Sequence, residues 1–434
     1  MRYYSTNRQA PTVSLEEAVV KGLAPDNGLY MPERWIMLPE SFYETITEHS
    51  FQEIAFRVAT AFFGDDVDAS SLKAMVDEAL SFETPVVQVE ENLYALELFH
   101  GPTLAFKDVG ARFMARLLSY FVKRHGYNDI KVLVATSGDT GSAVANGFFD
   151  VEGIHVYVLY PKGLVSDIQE KQFTTLGHNI TALEIDGTFD DCQRLVKTAF
   201  MDASLNERVH LTSANSINLA RFLPQSFYYF NAYAQLKRLG KEKSLVVSVP
   251  SGNFGNLTAG LVAARMGLPI KRFIAANNAN DVFLNYLNTG EYAPRASVAT
   301  IANAMDVGDP SNFARILDLY GGSHEDICND ISGNRFSDDQ IRSAVKQCFE
   351  AHRYLLDPHG ACGYLSLKEG LQKEETGLFL ETAHPAKFKE TIESVLQQPV
   401  ELPSALIRFL HKKKQSIALS NRYEDLKSVI ETNS

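Results

Sequence analysis

Between Lys131 and Phe200 the chain reads, in succession, KVLVAT, SAVANGFF, IHVYVLY, SDIQEKQFTTLG, NITALEI and DDCQRLVKTAF. Apolar, β-branched runs of strand length alternate here with segments whose apolar residues recur at helical spacing. This alternation is typical of a parallel sheet whose faces are covered by helices. We therefore predict an α/β fold, and the rest of the chain is interpreted outward from this stretch.

A second α/β module is predicted on the C-terminal side. The helical pattern PQSFYYFNAYAQLKRLG is followed by the strand SLVVSVP, the turn SGNFGN, the helix LTAGLVAARMG and the strand KRFIAANN. On the N-terminal side, SFQEIAFRVATAFFG and ASSLKAMVDEALSF have apolar residues at helical spacing. We predict an N-terminal helical region at 1–95, a smaller α/β domain at 96–222 and a large α/β domain at 223–434.

The composition indicates an ordinary globular protein and argues against several kinds of partner. The 434 residues are 45% hydrophobic and 22% charged, an ordinary globular profile. A formal net charge of -12 opposes binding to nucleic acid or to an anionic membrane, so neither is expected as a partner. The four cysteines are widely spaced, and we expect free thiols and no metal site. There is no signal-peptide pattern and no long apolar run, so a cytoplasmic location is expected.

The segment HGPTLAFKDVGARFMARLL contains one lysine, Lys107, among apolar and small residues just before a helical pattern. An isolated lysine between Phe and Asp is more often solvated or ion-paired. An apolar setting, however, lowers the pKa of an amine and lets it act as a nucleophile near neutral pH. Lys107 is therefore a candidate for covalent catalysis.

Two turns between a strand and a helix could bind anions. SGNFGN (251–256) and SGDTGS (137–142) both place backbone N–H groups at the start of a helix. Either could also be a plain connection or an ordinary N-cap. The spacing GxGxxG is absent from both turns, which argues against a dinucleotide-binding fingerprint.

Together these strings resemble one enzyme family. HGPTLAFKD is similar to the lysine-attachment segment of fold-type II pyridoxal-phosphate enzymes, in the form found in threonine synthases, and SGNFGN resembles their phosphate cradle. The opening segment, with RYYSTN and GLAPDNGLYMP, also resembles the threonine synthases. The resemblance implies a tryptophan synthase β-like fold of two parallel-sheet α/β domains, with pyridoxal 5'-phosphate between them, plus the helical N-terminal region.

The resemblance also implies roles for individual residues. Lys107 is the expected catalytic residue, bound to the cofactor as a Schiff base. The other expected cofactor contacts are Phe106, Asp139, Gly252, Asn253, Phe254, Gly255, Asn256 and Thr382. The expected substrate contacts are Ser137, Thr140, Ser142, Asn215, Ser216 and Arg221. Asp139 stands where most fold-type II enzymes have Asn, and no role is assigned to Lys162 or His384.

The implied reaction converts O-phospho-L-homoserine and water to L-threonine and phosphate by β,γ-elimination and replacement, the last step of threonine biosynthesis. A serine/threonine dehydratase or another pyridoxal-phosphate lyase is the main alternative, and the segment NSINLAR (215–221) favours a phosphorylated substrate instead. A noncatalytic relative is disfavoured by Lys107, and an oxidoreductase by the missing GxGxxG. The oligomeric state is left open, with a monomer among the alternatives.

Overall fold

The computed structural model describes residues 1–126 and 129–432. Its strands, in chain order, are β1 (Tyr3–Ser5), β2 (Tyr30–Pro32), β3 (Val86–Glu90), β4 (Leu93–Glu97), β5 (Ile130–Ala135), β6 (Ile154–Pro161), β7 (Ile180–Asp186), β8 (His210–Ser213), β9 (Leu245–Pro250), β10 (Arg272–Asn277), β11 (Ile331–Arg335), β12 (Thr376–Glu381) and β13 (Ile417–Ser420).

The α-helices are α1 (Leu15–Lys21), α2 (Glu40–Thr45), α3 (Phe51–Phe63), α4 (Ala69–Ala79), α5 (Lys107–His125), α6 (Asp139–Gly147), α7 (Asp167–Thr174), α8 (Phe189–Met201), α9 (Ala203–Asn206), α10 (Leu219–Phe222), α11 (Ser226–Arg238), α12 (Gly255–Arg265), α13 (Val282–Thr289), α14 (Phe313–Leu319), α15 (His324–Asp330), α16 (Asp338–His352), α17 (Pro358–Gly370), α18 (Lys389–Leu396), α19 (Ser404–Leu410) and α20 (Tyr423–Thr432). Short 3-10 helices lie at Ile46–Glu48, Leu223–Gln225, Asn303–Met305 and Pro385–Phe388.

The chain divides into two compact units. Unit one comprises Met1–Met31, Lys107–Arg221 and the chain from Leu402 onward, and unit two comprises Pro32–Phe106 and Phe222–Glu401. These limits differ from the expected ranges 1–95, 96–222 and 223–434, because both ends of the chain pack with the middle segment. Strand β13 pairs with β7, and the hydroxyl of Thr212 donates to the carbonyl of Val19 in α1. The division into three domains with the expected ranges stays a prediction.

Unit one has the predicted α/β alternation. Among its described residues, five parallel strands lie in the order β13-β7-β6-β5-β8. Every residue of β5 is buried, as a parallel strand covered on both faces requires. Helices α5 and α6 approach closely at Gly147, where a Cβ atom would lie 3.1 Å from the backbone of Ala111. The βαβα pattern of the sequence is confirmed here.

Unit two has a sheet whose described strands lie in the order β11-β10-β9-β12-β4-β3. All of its neighbouring pairs are parallel except β3 and β4. Strand β12 lies between β9 and β4, and all six of its residues are buried. Because parallel strands end at one edge of a sheet, β9 and β12 deliver the turn at Ser251 and the segment at Thr382 to the same edge of unit two.

The N-terminal 95 residues contain the predicted helices α3 and α4, each begun by a side-chain cap at Ser50 or Asp68. They also contain β1, β2 and β3, which periodicity alone did not indicate. Strand β3 turns into β4 at Glu91 and Asn92, and Asn92 has φ 59°, a left-handed conformation that Asn tolerates. This hairpin adds an antiparallel edge to the otherwise parallel sheet.

The four cysteines are free thiols, and three of them are buried, as the composition predicted. Over residues 1–126 and 129–432, no helix is both long enough and apolar enough to cross a membrane.

Candidate active site

Lys107 is the first residue of α5 and is half-buried. The segment before it is held by the segment that follows β12. The N–H of Phe106 donates to the carbonyl of Thr382 at 2.9 Å, and the N–H of His384 donates to the carbonyl of Leu104 at 3.0 Å. Within unit two, the segment that ends at Phe106 is therefore bound to the residues that follow β12.

Thr382 is the residue predicted to face the cofactor's ring nitrogen. It is 6% exposed, and its hydroxyl contacts no hydrogen-bond partner in the described part of the chain. Its backbone carbonyl binds Phe106, the residue beside Lys107. Within unit two, the structure thus brings Phe106 and Thr382 together and leaves the Thr382 hydroxyl available to a ligand.

The turn Gly252–Asn256 joins β9 to α12, as predicted. Phe254 precedes α12 with φ 58°, in the left-handed conformation. The backbone N–H groups of residues 252–256 donate to no acceptor within residues 1–126 and 129–432. A Cβ atom on Gly252 would lie 2.7 Å from Cα of Met305, so only glycine fits against that segment. Several free N–H groups at a helix start form a site suited to a phosphate.

The asparagine residues of this turn form hydrogen bonds that stabilise its conformation. The amide of Asn256 accepts from the hydroxyl of Ser251 and donates to the carbonyl of Pro250. The side-chain oxygen of Asn253 accepts from the N–H of Ser311 at 2.8 Å, and its backbone carbonyl accepts from the side chain of Asn312. We therefore expect the backbone N–H groups of the turn, more than its amide side chains, to bind an anion.

The loop SGDTGS joins β5 to α6 in unit one. Ser137 and Thr140 are half-buried, and neither hydroxyl has a hydrogen-bond partner among the described residues. The loop is shaped by Thr136, whose hydroxyl accepts from the N–H groups of Gly138 at 2.9 Å and Gly141 at 2.8 Å. Thr136 closes the loop and leaves the other two hydroxyls available for a ligand.

Asp139 is buried in this loop and is held by Gln169, whose amide donates to its carboxylate at 2.8 Å. Gly138, with φ 147°, has no room for a side chain, because a Cβ atom would lie 2.7 Å from the amide of Gln169. The hydroxyl of Ser142 lies within hydrogen-bond reach of the carbonyls of Gly138 and Gln169, so its proton stays inside the protein. Sequence reasoning missed Thr136 and Gln169, which no local pattern distinguishes.

The segment 215–221 leads from β8 into α10. The amide of Asn215 binds both backbone groups of Ala135, at the end of β5, and Ser216 is half-buried. Arg221 is almost fully buried and donates to the carbonyl of Ala214 at 2.6 Å. Burial lowers the pKa of Arg221 to about 10, against the opposing effect of Asp108.

Within unit one, this segment lies against the helix that starts at Lys107. A Cβ atom on Gly110, three residues after Lys107, would lie 2.3 Å from the carbonyl oxygen of Arg221. The structure therefore brings Arg221 close to the first turn of α5. Thr382 and the Gly252–Asn256 turn belong to unit two.

These residues fit a phosphorylated pyridine cofactor. In unit two, the free N–H groups of 252–256 suit a phosphate and the free hydroxyl of Thr382 suits a ring nitrogen. In unit one, Lys107 supplies an amine. In the described part of the chain, no group of three or more His, Cys, Asp or Glu side chains could hold a metal ion.

Comparison with known proteins extends this interpretation. Three family models match the chain. The model for pyridoxal-phosphate dependent enzymes matches residues 80–381, the model for the threonine synthase N terminus matches residues 2–80, and the model for the threonine synthase C-terminal region matches residues 360–430. The threonine synthase of Haemophilus influenzae is 44% identical over 431 residues, which is 99% of each chain.

Two solved structures have the same fold over the whole chain. Threonine synthase from Escherichia coli superposes with a TM-score of 0.94 at 41% identity, covering 100% of both chains. The PLP-bound threonine synthase from Brucella melitensis gives 0.93 at 34% identity, covering 100% of this chain and 99% of the other. With family models that match from residue 2 to residue 430 and relatives alike over the full length, this chain belongs to the threonine synthase family of pyridoxal-phosphate-dependent enzymes.

Proposed function

We propose that this protein converts O-phospho-L-homoserine and water to L-threonine and phosphate, with pyridoxal phosphate bound covalently to Lys107. The observation that carries this proposal is the hydrogen bond within unit two between the N–H of Phe106, the residue before Lys107 in the chain, and the carbonyl of Thr382, whose hydroxyl is free. The N- and C-terminal matches are specific to threonine synthases, which disfavours the dehydratase alternative.

The bound cofactor supplies a conjugated ring that stabilises negative charge on the α-carbon of the substrate. Lys107 would hold the cofactor, and its amine, when free, would take the proton from Cα of the substrate. Lys107 must release this proton before it can take a second one from Cβ, whose loss lets the γ-phosphate depart. The two protons would return to Cγ and Cα, water would supply the hydroxyl at Cβ, and its other proton would leave with the phosphate. Thr382 offers the ring nitrogen a neutral hydroxyl, and residues 252–256 donate backbone N–H groups to the cofactor phosphate.

The remaining predicted contacts are proposed for the substrate. The hydroxyls of Ser137 and Thr140 are available to bind its carboxylate, and the SGDTGS loop also presents Asp139, fixed by Gln169, to the cofactor. Arg221 is the proposed counter-charge for the substrate phosphate, with Ser216 beside it. Asn215 and Ser142 are bound within the protein and are proposed to shape these loops.

Exchange of Lys107 for Ala tests the proposal. Lys107→Ala is expected to lose the visible absorbance of the lysine-bound cofactor and to lose phosphate release from O-phospho-L-homoserine, because Lys107 is proposed both to bind the cofactor and to move the protons. Lys162→Ala is the matched control, since Lys162 is exposed and has no assigned role. Turnover retained by Lys107→Ala would refute the proposal. The cytoplasmic location and the lack of nucleic-acid or membrane partners stay predictions.

A further inference from the structure

Glu381, the last residue of β12, is a fully buried glutamate. It directly precedes Thr382, so its position determines where the Thr382 hydroxyl and carbonyl lie. Its strand partner at the same register is Glu97 of β4, and Asp357 contacts it from the start of α17. Two neighbouring buried carboxyls cannot both be charged without a large cost, so one of them is expected to keep a proton.

The hydrogen bonds indicate which carboxyl is ionised. Asp357 accepts from Nδ1 of His359 at 2.6 Å and from the backbone N–H groups of His359 at 2.8 Å and Gly360 at 3.2 Å. It is also the N-cap of α17, where a negative charge is favoured. Burial opposes its ionisation, but His359 lowers the pKa of Asp357 below its ordinary value.

Glu381 has the opposite environment. Its Oε2 accepts one bond, from the N–H of Asp357 at 3.2 Å, and its buried Oε1 has no donor among the described residues. Burial, followed by the charge of Asp357, raises the pKa of Glu381 well above its ordinary value. The two carboxyl side chains also hydrogen-bond each other, which requires a proton on one of them, and Glu381 is the carboxyl with fewer donors.

The start of α17 is shaped around this acid. A Cβ atom on Gly360 would lie 2.1 Å from Oε1 of Glu381 and 2.4 Å from its Cδ. Glycine in the first turn of a helix is unfavourable in itself, so its presence here makes room for the Glu381 carboxyl.

The same hydrogen bonds lead to the phosphate cradle. Nε2 of His359 accepts from the N–H of Ala304 at 3.2 Å, so the ring proton is on Nδ1, where it donates to Asp357. Ala304 and Met305 cover Gly252, whose missing Cβ would lie 3.0 Å from the carbonyl oxygen of Ala304. A continuous set of contacts thus joins Thr382, through Glu381, Asp357 and His359, to the turn at Gly252.

We propose that Glu381 is a positioning residue that holds, as a neutral carboxylic acid donating to Asp357, the two cofactor contacts of unit two in place. It acts on Thr382 through the chain and on Gly252 through Asp357, His359 and Ala304. The inference rests on the proposed cofactor site, but not on the identity of the substrate. Other titratable groups face this pair: Glu97, which is bound to His100 and Tyr354, and the side chains of Tyr354, Cys362 and His384, whose pKa values are affected by the charge of Asp357. Asp306 faces His359.

The proton is tested in the cofactor-free protein by infrared spectroscopy near pH 7. The wild type is expected to have a band from a buried protonated carboxyl, which Glu381→Gln removes. Glu375→Gln is the matched control, because Glu375 is a buried, charged glutamate just before the same strand. A band that persists in Glu381→Gln would overturn the proposal.

Positioning is tested by the dissociation constant of pyridoxal phosphate. Glu381→Gln keeps a donor to Asp357 and is expected to bind within about threefold of wild type, whereas Glu381→Leu removes the donor and should weaken binding by about tenfold or more. Wild-type affinity in a folded Glu381→Leu protein would overturn the role.

If Glu381→Leu does not fold, Asp357→Asn can still show which of the two carboxyls carries the proton. An amide at 357 donates to Glu381 and makes Glu381 ionise, so the infrared band should vanish and the cofactor should bind more weakly than in Glu381→Gln. Better binding by Asp357→Asn than by Glu381→Gln would place the proton on Asp357 and overturn the assignment. Neither readout needs turnover, so inactivity towards O-phospho-L-homoserine would refute the proposed function alone.

Discussion

The two ends of β12 carry two buried glutamates in opposite states. Glu375, just before the strand, is bound by Lys271 at 2.9 Å and by Arg272 at 2.7 Å. Burial opposes its charge, but the hydrogen bonds from Arg272 and Lys271 lower the pKa of Glu375 to about 2. Glu381, six residues later, has two other acids, Asp357 and Glu97, as neighbours and a raised pKa.

The difference shows that burial alone does not determine the charge of a side chain. The two glutamates have the same intrinsic chemistry, and the surrounding partners decide which proton is kept. The charged glutamate lies at the edge away from the proposed cofactor contacts, where Lys271 and Arg272 reach it from the start of β10, two strands away in the sheet. The neutral one lies at the carboxyl edge, next to Thr382.

Gly360→Ala should have the largest effect on this comparison. Its new Cβ would overlap the Glu381 carboxyl at 2.1 Å, so unfolding free energy should fall by about 3 kcal/mol, and Glu381 should be displaced. Chemical denaturation measures the loss. Gly370→Ala, in the last turn of the same helix, meets only Ile274 Cδ1 at 3.4 Å and should change stability by less than about 0.5 kcal/mol. Equal effects of the two substitutions would contradict the tight fit at Glu381.

Glu375→Gln should have the second largest effect. Loss of the bonds to Lys271 and Arg272 should lower the unfolding free energy by about 2 kcal/mol near neutral pH. Because the folded pKa is lowered from 4.5 to about 2, this stability is present above about pH 4.5 and is lost as the pH falls towards 2. The wild type and the variant should therefore converge in acid. A constant difference between pH 7 and pH 3 would show that Glu375 is not the group responsible.

Salt should have the smallest effect. It should change the stability cost of the substitution at Glu375 but not at Glu381. Lys271 is 47% exposed, so its attraction to Glu375 is partly screened, and the cost of Glu375→Gln should fall by a few tenths, about 0.3 kcal/mol, between 0.05 and 1 M NaCl. The cost of Glu381→Gln should not change, because that pair is fully buried and has no net attraction to screen. Thermal unfolding at the two salt concentrations measures both. A salt-dependent Glu381→Gln would indicate a charged Glu381.

Sequence reasoning found the candidate site residues that belong to short contiguous motifs. Lys107, with its apolar neighbours, starts α5 as predicted, and the turn at Gly252 joins β9 to α12 as predicted. Both depend on interactions between residues close in sequence, such as glycines that admit a left-handed or crowded backbone. The specific contacts assigned to these residues stay predictions.

Sequence reasoning did not find Gln169 and His359, which hold other site residues in place, because their partners are distant in sequence. Gln169 holds Asp139 from 30 residues away, and His359 reaches Ala304 from 55 residues away. The only available signal for Glu381 was a glutamate that ends an otherwise apolar strand, GLFLE, and charged residues in that position are more often exposed.

The amino-acid sequence alone therefore determined the fold class, and it identified Lys107 and the turn at Gly252 as candidates for cofactor attachment and phosphate binding, because each depends on local periodicity or on a contiguous motif. Tertiary structure decided how the chain divides into units, that β3 adds an antiparallel edge, and which of two buried glutamates keeps its proton. Those outcomes depend on which distant groups the folded sheet and helices place beside each side chain, and a carboxyl's charge follows from these neighbours rather than from its own sequence context.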